Sequence, residues 1–241
     1  MEIIINEQLY DLDEKNRIGY GTTSDVYRLK QDNLDLAVKL YIDYYKKEKR
    51  RSIVENIRKF NEIAEEVYPI ILSTDIVTDI DGNFIGSTTP YISSDKEAEY
   101  PIFDLPCESF FKYVNEIREK SKILSHNRIA LSDCNDNNIK LGTISNIPDI
   151  ERIYLFDDDK YRIYDSSDLL HTEDKLNEMN SYNIDDLIES IMSRYYNKSG
   201  NHDSGYPMCS CFQLYEILEN DFDQSKPVKD LLDYYYVKKL R

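Results

Sequence analysis

Short apolar runs broken by turn formers occupy the start of the chain: Ile3 to Ile5, Arg17-Ile18-Gly19, Asp25 to Leu29 and Leu36 to Tyr41. Such alternation predicts strands, and Gln31-Asp32-Asn33 predicts a hairpin turn between the last two. From Tyr44 the period changes. Ile53, Ile57, Phe60, Ile63, Ala64 and Val67 fall on one helical stripe, which predicts a helix from about Tyr44 to Val67, ended by Pro69. Ile71 to Asp79 and Asn83 to Pro90 read as two strands joined at Asp81-Gly82, a strong hairpin signal.

Beyond Pro90 the pattern is mostly helical, over Cys107 to Leu124, Ile184 to Tyr196, Phe212 to Leu218 and Val228 to the C-terminus. A second hairpin, Ile153 to Phe156 with Tyr161 to Tyr164 around Asp157-Asp158-Asp159-Lys160, is predicted among them. There is no internal repeat and no flexible linker. The expected fold class is α+β: residues 1–90 form an N-terminal antiparallel sheet with one long helix, and residues 91–241 form a mainly helical second lobe.

A chain of 241 residues with 41% hydrophobic side chains can bury a core without staples. Its four cysteines, Cys107, Cys134, Cys209 and Cys211, are scattered rather than spaced as a secreted framework, which points to a reducing, cytoplasmic setting. Ile3 to Ile5, flanked by Glu2 and Glu7, lacks the basic start and apolar length of a signal peptide, and no stretch has the length of a membrane span. With 46 acidic against 30 basic side chains and a net charge of -16, neutralisation of nucleic-acid phosphates is disfavoured. The basic run Lys46, Lys47, Lys49, Arg50 and Arg51 reads as a solvated helix face.

Four segments carry chemistry. Gly19-Tyr20-Gly21-Thr22-Thr23-Ser24-Asp25-Val26 would let backbone N–H groups approach a phosphate closely, although Gly-x-Gly between strands is also an ordinary tight turn. In Leu36-Ala37-Val38-Lys39-Leu40 a lysine sits within an apolar strand. Such an ammonium calls for a fixed anion, unless it stands on an edge and points to solvent. Glu55 or Glu62 of the following helix is its candidate carboxylate partner, Glu55 being preferred.

The third segment is Ile129-Ala130-Leu131-Ser132-Asp133-Cys134-Asn135-Asp136-Asn137-Asn138-Ile139, where an apolar run delivers a carboxylate to a loop and an amide follows five positions later. A carboxylate orients a hydroxyl and accepts its proton, and an asparagine oxygen suits Mg²⁺. The plainer alternative is an Asn/Asp-rich surface loop. The fourth is Tyr161-Arg162-Ile163-Tyr164 ending at Asp165-Ser166-Ser167, a carboxylate placed either to hold a metal or to end a strand in a turn.

Taken in order, a glycine-rich hairpin, a strand lysine, a helix with a glutamate, two strands, an Asp-x4-Asn loop and a strand ending in Asp resemble the protein kinase-like superfamily over roughly residues 15 to 240. That resemblance implies a bilobal kinase-like fold in which Gly19, Gly21 and Val26 cover the phosphates of ATP. Ala37 and Lys39 would then correspond to the Ala-x-Lys that pairs the α- and β-phosphates and Glu55. Tyr91, in Thr89-Pro90-Tyr91-Ile92, falls at the adenine hinge; Asp133 matches the catalytic aspartate; Asn138 and Asp165 match the Mg²⁺ ligands. The implied activity is ATP- and Mg²⁺-dependent phosphotransfer to a protein Ser/Thr or to a small-molecule alcohol.

The chain departs from the family pattern at Ser24, Leu131, Ser132, Asn135 and Ser166-Ser167, it lacks an A-P-E motif, and Gly142 to Arg152 read as an insertion. In the family the residues lost serve protein docking and activation-loop control, while those touching phosphate and metal are kept, so a pseudokinase that binds nucleotide or acts as a scaffold is the alternative. Cys209-x-Cys211 with His202 matches no standard zinc spacing. Asp157-Asp158-Asp159 lacks the Gly and distal Glu of an EF-hand, and His126, His171 and His202 form no recognisable triad.

Overall fold

The computed structural model describes residues 1–31, 33–93, 101–131, 138–144, 151–156, 162–198 and 210–239. In chain order the elements are β1 (Glu2–Ile5), β2 (Gln8–Asp11), β3 (Arg17–Tyr20), β4 (Ser24–Gln31), β5 (Leu34–Tyr41), α1 (Asp43–Val67), β6 (Ile70–Ile71), β7 (Asp75–Thr78), β8 (Phe84–Pro90) and β9 (Ile92–Ser93). They continue with α2 (Cys107–His126), β10 (Ile129–Ala130), β11 (Ile139–Ile144), β12 (Arg152–Phe156), β13 (Arg162–Ile163), α3 (Glu173–Lys198), α4 (Cys211–Asn220) and α5 (Val228–Lys239). The chain is α+β and divides into two compact units, Met1–Ser93 with Gly142–Glu151, and Ser94–Leu141 with Arg152–Arg241.

The first unit is built on a seven-stranded antiparallel sheet in the order β2-β1-β7-β8-β5-β4-β3. Side chains alternate across a strand, and the two faces bury different groups. One face collects Ile3, Ile5, Leu12, Tyr27, Leu29, Val38 and Val77. The other sets Tyr41 and Phe84 against Ile53 and Ile57 of α1, the helix whose Ile53, Ile57, Phe60, Ile63 and Val67 are all buried, as the apolar stripe predicts. Each such side chain stabilises the unit by about 1.5–3 kcal/mol. The Asp81-Gly82 turn forms with Gly82 at φ +78°, a conformation open to glycine. Gly142, at the start of the inserted segment, lies where a Cβ would come within 2.2 Å of the Ser93 carbonyl, and it leads into the pairing Thr143↔Ser93 and Ile144↔Ile92.

In the second unit α2 buries Phe110, Phe111, Val114, Ile117 and Leu124, and α3 brings Leu176, Ile184, Leu187, Ile188 and Ile191 to the interior. Val228, Leu231 and Leu232 of α5 are fully buried as well. Two expectations are corrected here. The helix predicted from Ile184 begins at Glu173, where Thr172 accepts the Lys175 N–H as an N-cap; Asn177, Asn180 and Asn183 interrupt its apolar period and hide its first turns. Among the described residues the predicted hairpin of Ile153–Phe156 with Tyr161–Tyr164 is not seen. β13 forms a two-stranded sheet with β10 instead, Ile129 facing Ile163 and Ala130 facing Arg162. Ile129 and Ala130 are fully buried, and a partner so distant in the chain leaves no local trace in the sequence.

Among the described residues no helix is long and apolar enough to cross a membrane. Cys107 and Cys211 are buried free thiols, and burial pushes both up to about 12.

Candidate functional site

The sheet of the first unit places the expected nucleotide residues in rows. Directly paired residues project from the same face. Gly19 is opposite Val26, Val26 opposite Lys39, and Lys39 opposite Ser87, which makes one row across β3, β4, β5 and β8. Two residues along lies the next, Arg28 opposite Ala37 and Ala37 opposite Thr89. Gly19, Val26, Ala37 and Lys39 are thus brought together on one face, the face that carries Tyr41 and meets α1. Lys39 Nζ stands 5.7 Å from the centre of the Tyr41 ring, and the Tyr41 hydroxyl shares a 2.9 Å hydrogen bond with the buried Ser87.

The glycines of this sheet differ in what holds them. A Cβ at position 86 would lie 2.1 Å from the Lys39 carbonyl oxygen, so the fold itself demands Gly86. At Gly19 and Gly21 the nearest atoms to such a Cβ are 3.8 and 3.7 Å away and no left-handed φ is involved. The fold would accept a side chain at either position.

Glu55 does not serve Lys39. It is exposed and pairs with Arg51 at 2.9 Å, one helical turn away. The reason is its phase on α1: Ile53 and Ile57 point inward, and Glu55, two residues from each, points outward with Glu62. Tyr91 donates its backbone N–H to the Asp35 carbonyl at 3.0 Å.

In the second unit the β10–β13 pairing joins the strand that leads toward Asp133 to the strand that leads to Asp165. Asp133 lies outside the described residues. Asn138 is buried, 1% exposed, immediately before β11. Asp165 is exposed, and its Oδ1 accepts the Ser167 N–H and the Ser167 hydroxyl, each at 2.8 Å. Those hydrogen bonds, the backbone one first, hold its carboxyl below the usual range. Arg128, at φ +63°, donates through Nη2 to the carbonyls of Asp165 and Asp168 and accepts the Tyr164 N–H. Asp168 caps Leu170 N–H and meets His171 Nδ1 at 2.9 Å, while the Tyr164 and His171 rings stack at 4.0 Å.

The sequence reading passed over Asn180 and Asn183. The Leu131 N–H donates to Asn180 Oδ1 at 2.7 Å. Asn180 Nδ2 in turn donates to Ser125 Oγ and to the Ile129 carbonyl, and Asn183 Nδ2 donates to the Leu131 carbonyl. The strand entering the Asp-x4-Asn loop is therefore fixed by α3. A signal existed in the sequence: Asn180 lies midway between Leu176 and Ile184, at a core position of the helical stripe. Among the described residues no group of three or more His, Cys, Asp or Glu side chains is placed to hold a metal ion; His202 and Cys209 lie outside them. No protein-family model matches the chain, and no curated protein matches it.

Proposed function

We propose that the protein is an ATP- and Mg²⁺-dependent phosphotransferase of protein kinase-like fold, acting in the cytoplasm on a protein Ser/Thr or a small-molecule alcohol. The observation that carries this reading is the row Gly19, Val26, Lys39 on one sheet face, with glycines at 19 and 21 that folding does not require. A lysine beside a bare backbone suits a phosphate, because N–H groups and ammonium then converge without an obstructing Cβ. Lys39 and the glycine loop hold the phosphates, and Val26 and Ala37 take the base. Asn138 and Asp165 would hold magnesium, which when bound would supply positive charge against the phosphates. Asp133 orients the acceptor hydroxyl and accepts its proton.

One observation favours a second assignment for the metal carboxylate. Asp165 already uses Oδ1 to cap its own turn, and β13 is the partner of β10, not of β12. Asp157 follows β12 directly in the sequence and is the alternative ligand. Loss of Mg²⁺-dependent nucleotide binding in Asp165→Ala with binding kept in Asp157→Ala supports the first assignment; the reverse supports the second.

The whole reading is tested by binding. Mg-ATP at 100 times its dissociation constant should stabilise the native state by about 2.7 kcal/mol. A calorimetric titration without heat at millimolar ATP, with and without Mg²⁺, removes the phosphotransferase and leaves a scaffold with an empty pocket.

A further inference from the structure

On the same sheet face, one and two rows beyond Lys39, three residues form a closed group that the proposed chemistry has not used. Arg28 donates through Nε and Nη2 to the two oxygens of Asp35, each at 2.8 Å. The Asp35 side chain is only 3% exposed and the Arg28 side chain 31%. The guanidinium carbon sits over the Tyr91 ring, 4.0 Å from its centre, and the Asp35 carbonyl accepts the Tyr91 N–H. A forked Arg–carboxylate pair laid on an aromatic ring has lost most of its side-chain freedom before any ligand arrives. Nη1 is unspent: among the described residues the Arg28 bonds run from Nε and Nη2.

Strand geometry says what Nη1 would meet. Arg28 is paired with Ala37, and Ala37 is two residues from Lys39, about 7 Å along the strand. Ala37 is the small side chain of its row, with Arg28 on one side and Thr89 on the other. A nucleotide whose phosphates lie at Lys39 and whose base runs along β5 therefore comes to rest over Ala37 and Val26, with Arg28 at its far edge. We propose that Arg28, held by Asp35 and Tyr91, selects a purine base by donating Nη1 to an acceptor on the edge of the ring. A pyrimidine is one ring shorter and leaves that donor unmatched, and a site built to bond a missing group rejects the shorter ligand strongly. This inference rests on the nucleotide reading of the same face and adds the residue that tells a purine from a pyrimidine.

The test compares Mg-ATP with Mg-UTP by calorimetry on the whole chain. Removing Arg28 alone would strand the buried Asp35 charge, so the variants are Arg28→Met with Asp35→Asn together, and Tyr91→Leu alone. The wild type should bind Mg-ATP at least ten-fold more tightly than Mg-UTP, and the variants should lose at least ten-fold of that ratio. A general loosening of the fold lowers both affinities and leaves the ratio alone. Equal wild-type affinities, or a ratio unchanged in the variants, overturns the role of Arg28 while the nucleotide reading stands. A wild type that binds neither triphosphate overturns the nucleotide reading itself.

Discussion

Asn180 accepts the backbone N–H of Leu131 at 2.7 Å across 49 residues of chain, from a helix position with no exposed surface. Replacing it by leucine keeps the volume and removes the partners of the Leu131 N–H and the Ile129 carbonyl. Two buried polar groups left unmatched cost about 2–6 kcal/mol together. Urea unfolding of Asn180→Leu should show a midpoint shifted by that amount at unchanged slope; a loss below about 0.5 kcal/mol would mean that water replaces the amide.

Gly86 and Gly21 should respond in opposite ways to the same change. Gly86→Ala drives a methyl against the Lys39 carbonyl and should destabilise by about 3 kcal/mol. Gly21→Ala has room and should keep stability within about 0.5 kcal/mol of wild type, yet weaken Mg-ATP. Unaltered nucleotide affinity in Gly21→Ala would make the loop an ordinary turn.

Lys39→Met and Asp133→Ala separate binding from chemistry. On the proposed reading Lys39 faces phosphate before and during transfer, so its loss should lower Mg-ATP affinity and turnover together. Asp133 is proposed to act on the acceptor, so its loss should leave affinity nearly unchanged and reduce turnover by roughly 10²–10⁴-fold, read as autophosphorylation or slow ATP hydrolysis. Full turnover in Asp133→Ala, in a preparation free of other kinases, would disprove the loop assignment.

The segment after β13 should be sensitive to acid. Hydrogen bonds from Ser167 hold the Asp165 carboxyl down, and His171 followed by the Leu170 N–H does the same for Asp168. A folded pKa below the unfolded value gives stability that is present above about pH 4 and is lost as pH falls through the lower folded value. The protection factors of the Ser167 and Leu170 amides should therefore fall below pH 4 and stay level from pH 5 to 8. Protection factors that stay level down to pH 2 would show that these carboxylates do not hold the segment.

The elements with strong local periods were legible in the sequence. The α1 stripe, the Asp81-Gly82 turn and the α+β class all rest on neighbours within a few residues. The rows of the sheet were legible only in part: Lys39 and Gly19 were singled out by residue type, but the register that sets Val26 against both is a long-range property. Glu55 was misread because a glutamate seven residues from another says they share a face without saying which. The β10–β13 pairing and the Asn180 bonds were hidden for a related reason. Each joins segments more than thirty residues apart, and two-residue strands carry no period of their own. Arg28 and Asp35 stood in plain view on a hairpin, where charged residues look like solvent-facing decoration until their burial is known.

The return of Gly142–Glu151 to the first unit has a consequence for how such a chain can change over time. The path passes from one unit to the other near residues 93, 141 and 151, so neither unit is a single stretch of sequence. A lone recombination breakpoint after Ser93 would carry off the strand whose Thr143 and Ile144 pair with Ser93 and Ile92. It would leave a half that lacks part of its own sheet. Modular exchange is closed to this fold at that joint, and a breakpoint after residue 151 would in turn divide the second unit, so its variation has to accumulate by point substitution or by swaps that keep both units whole.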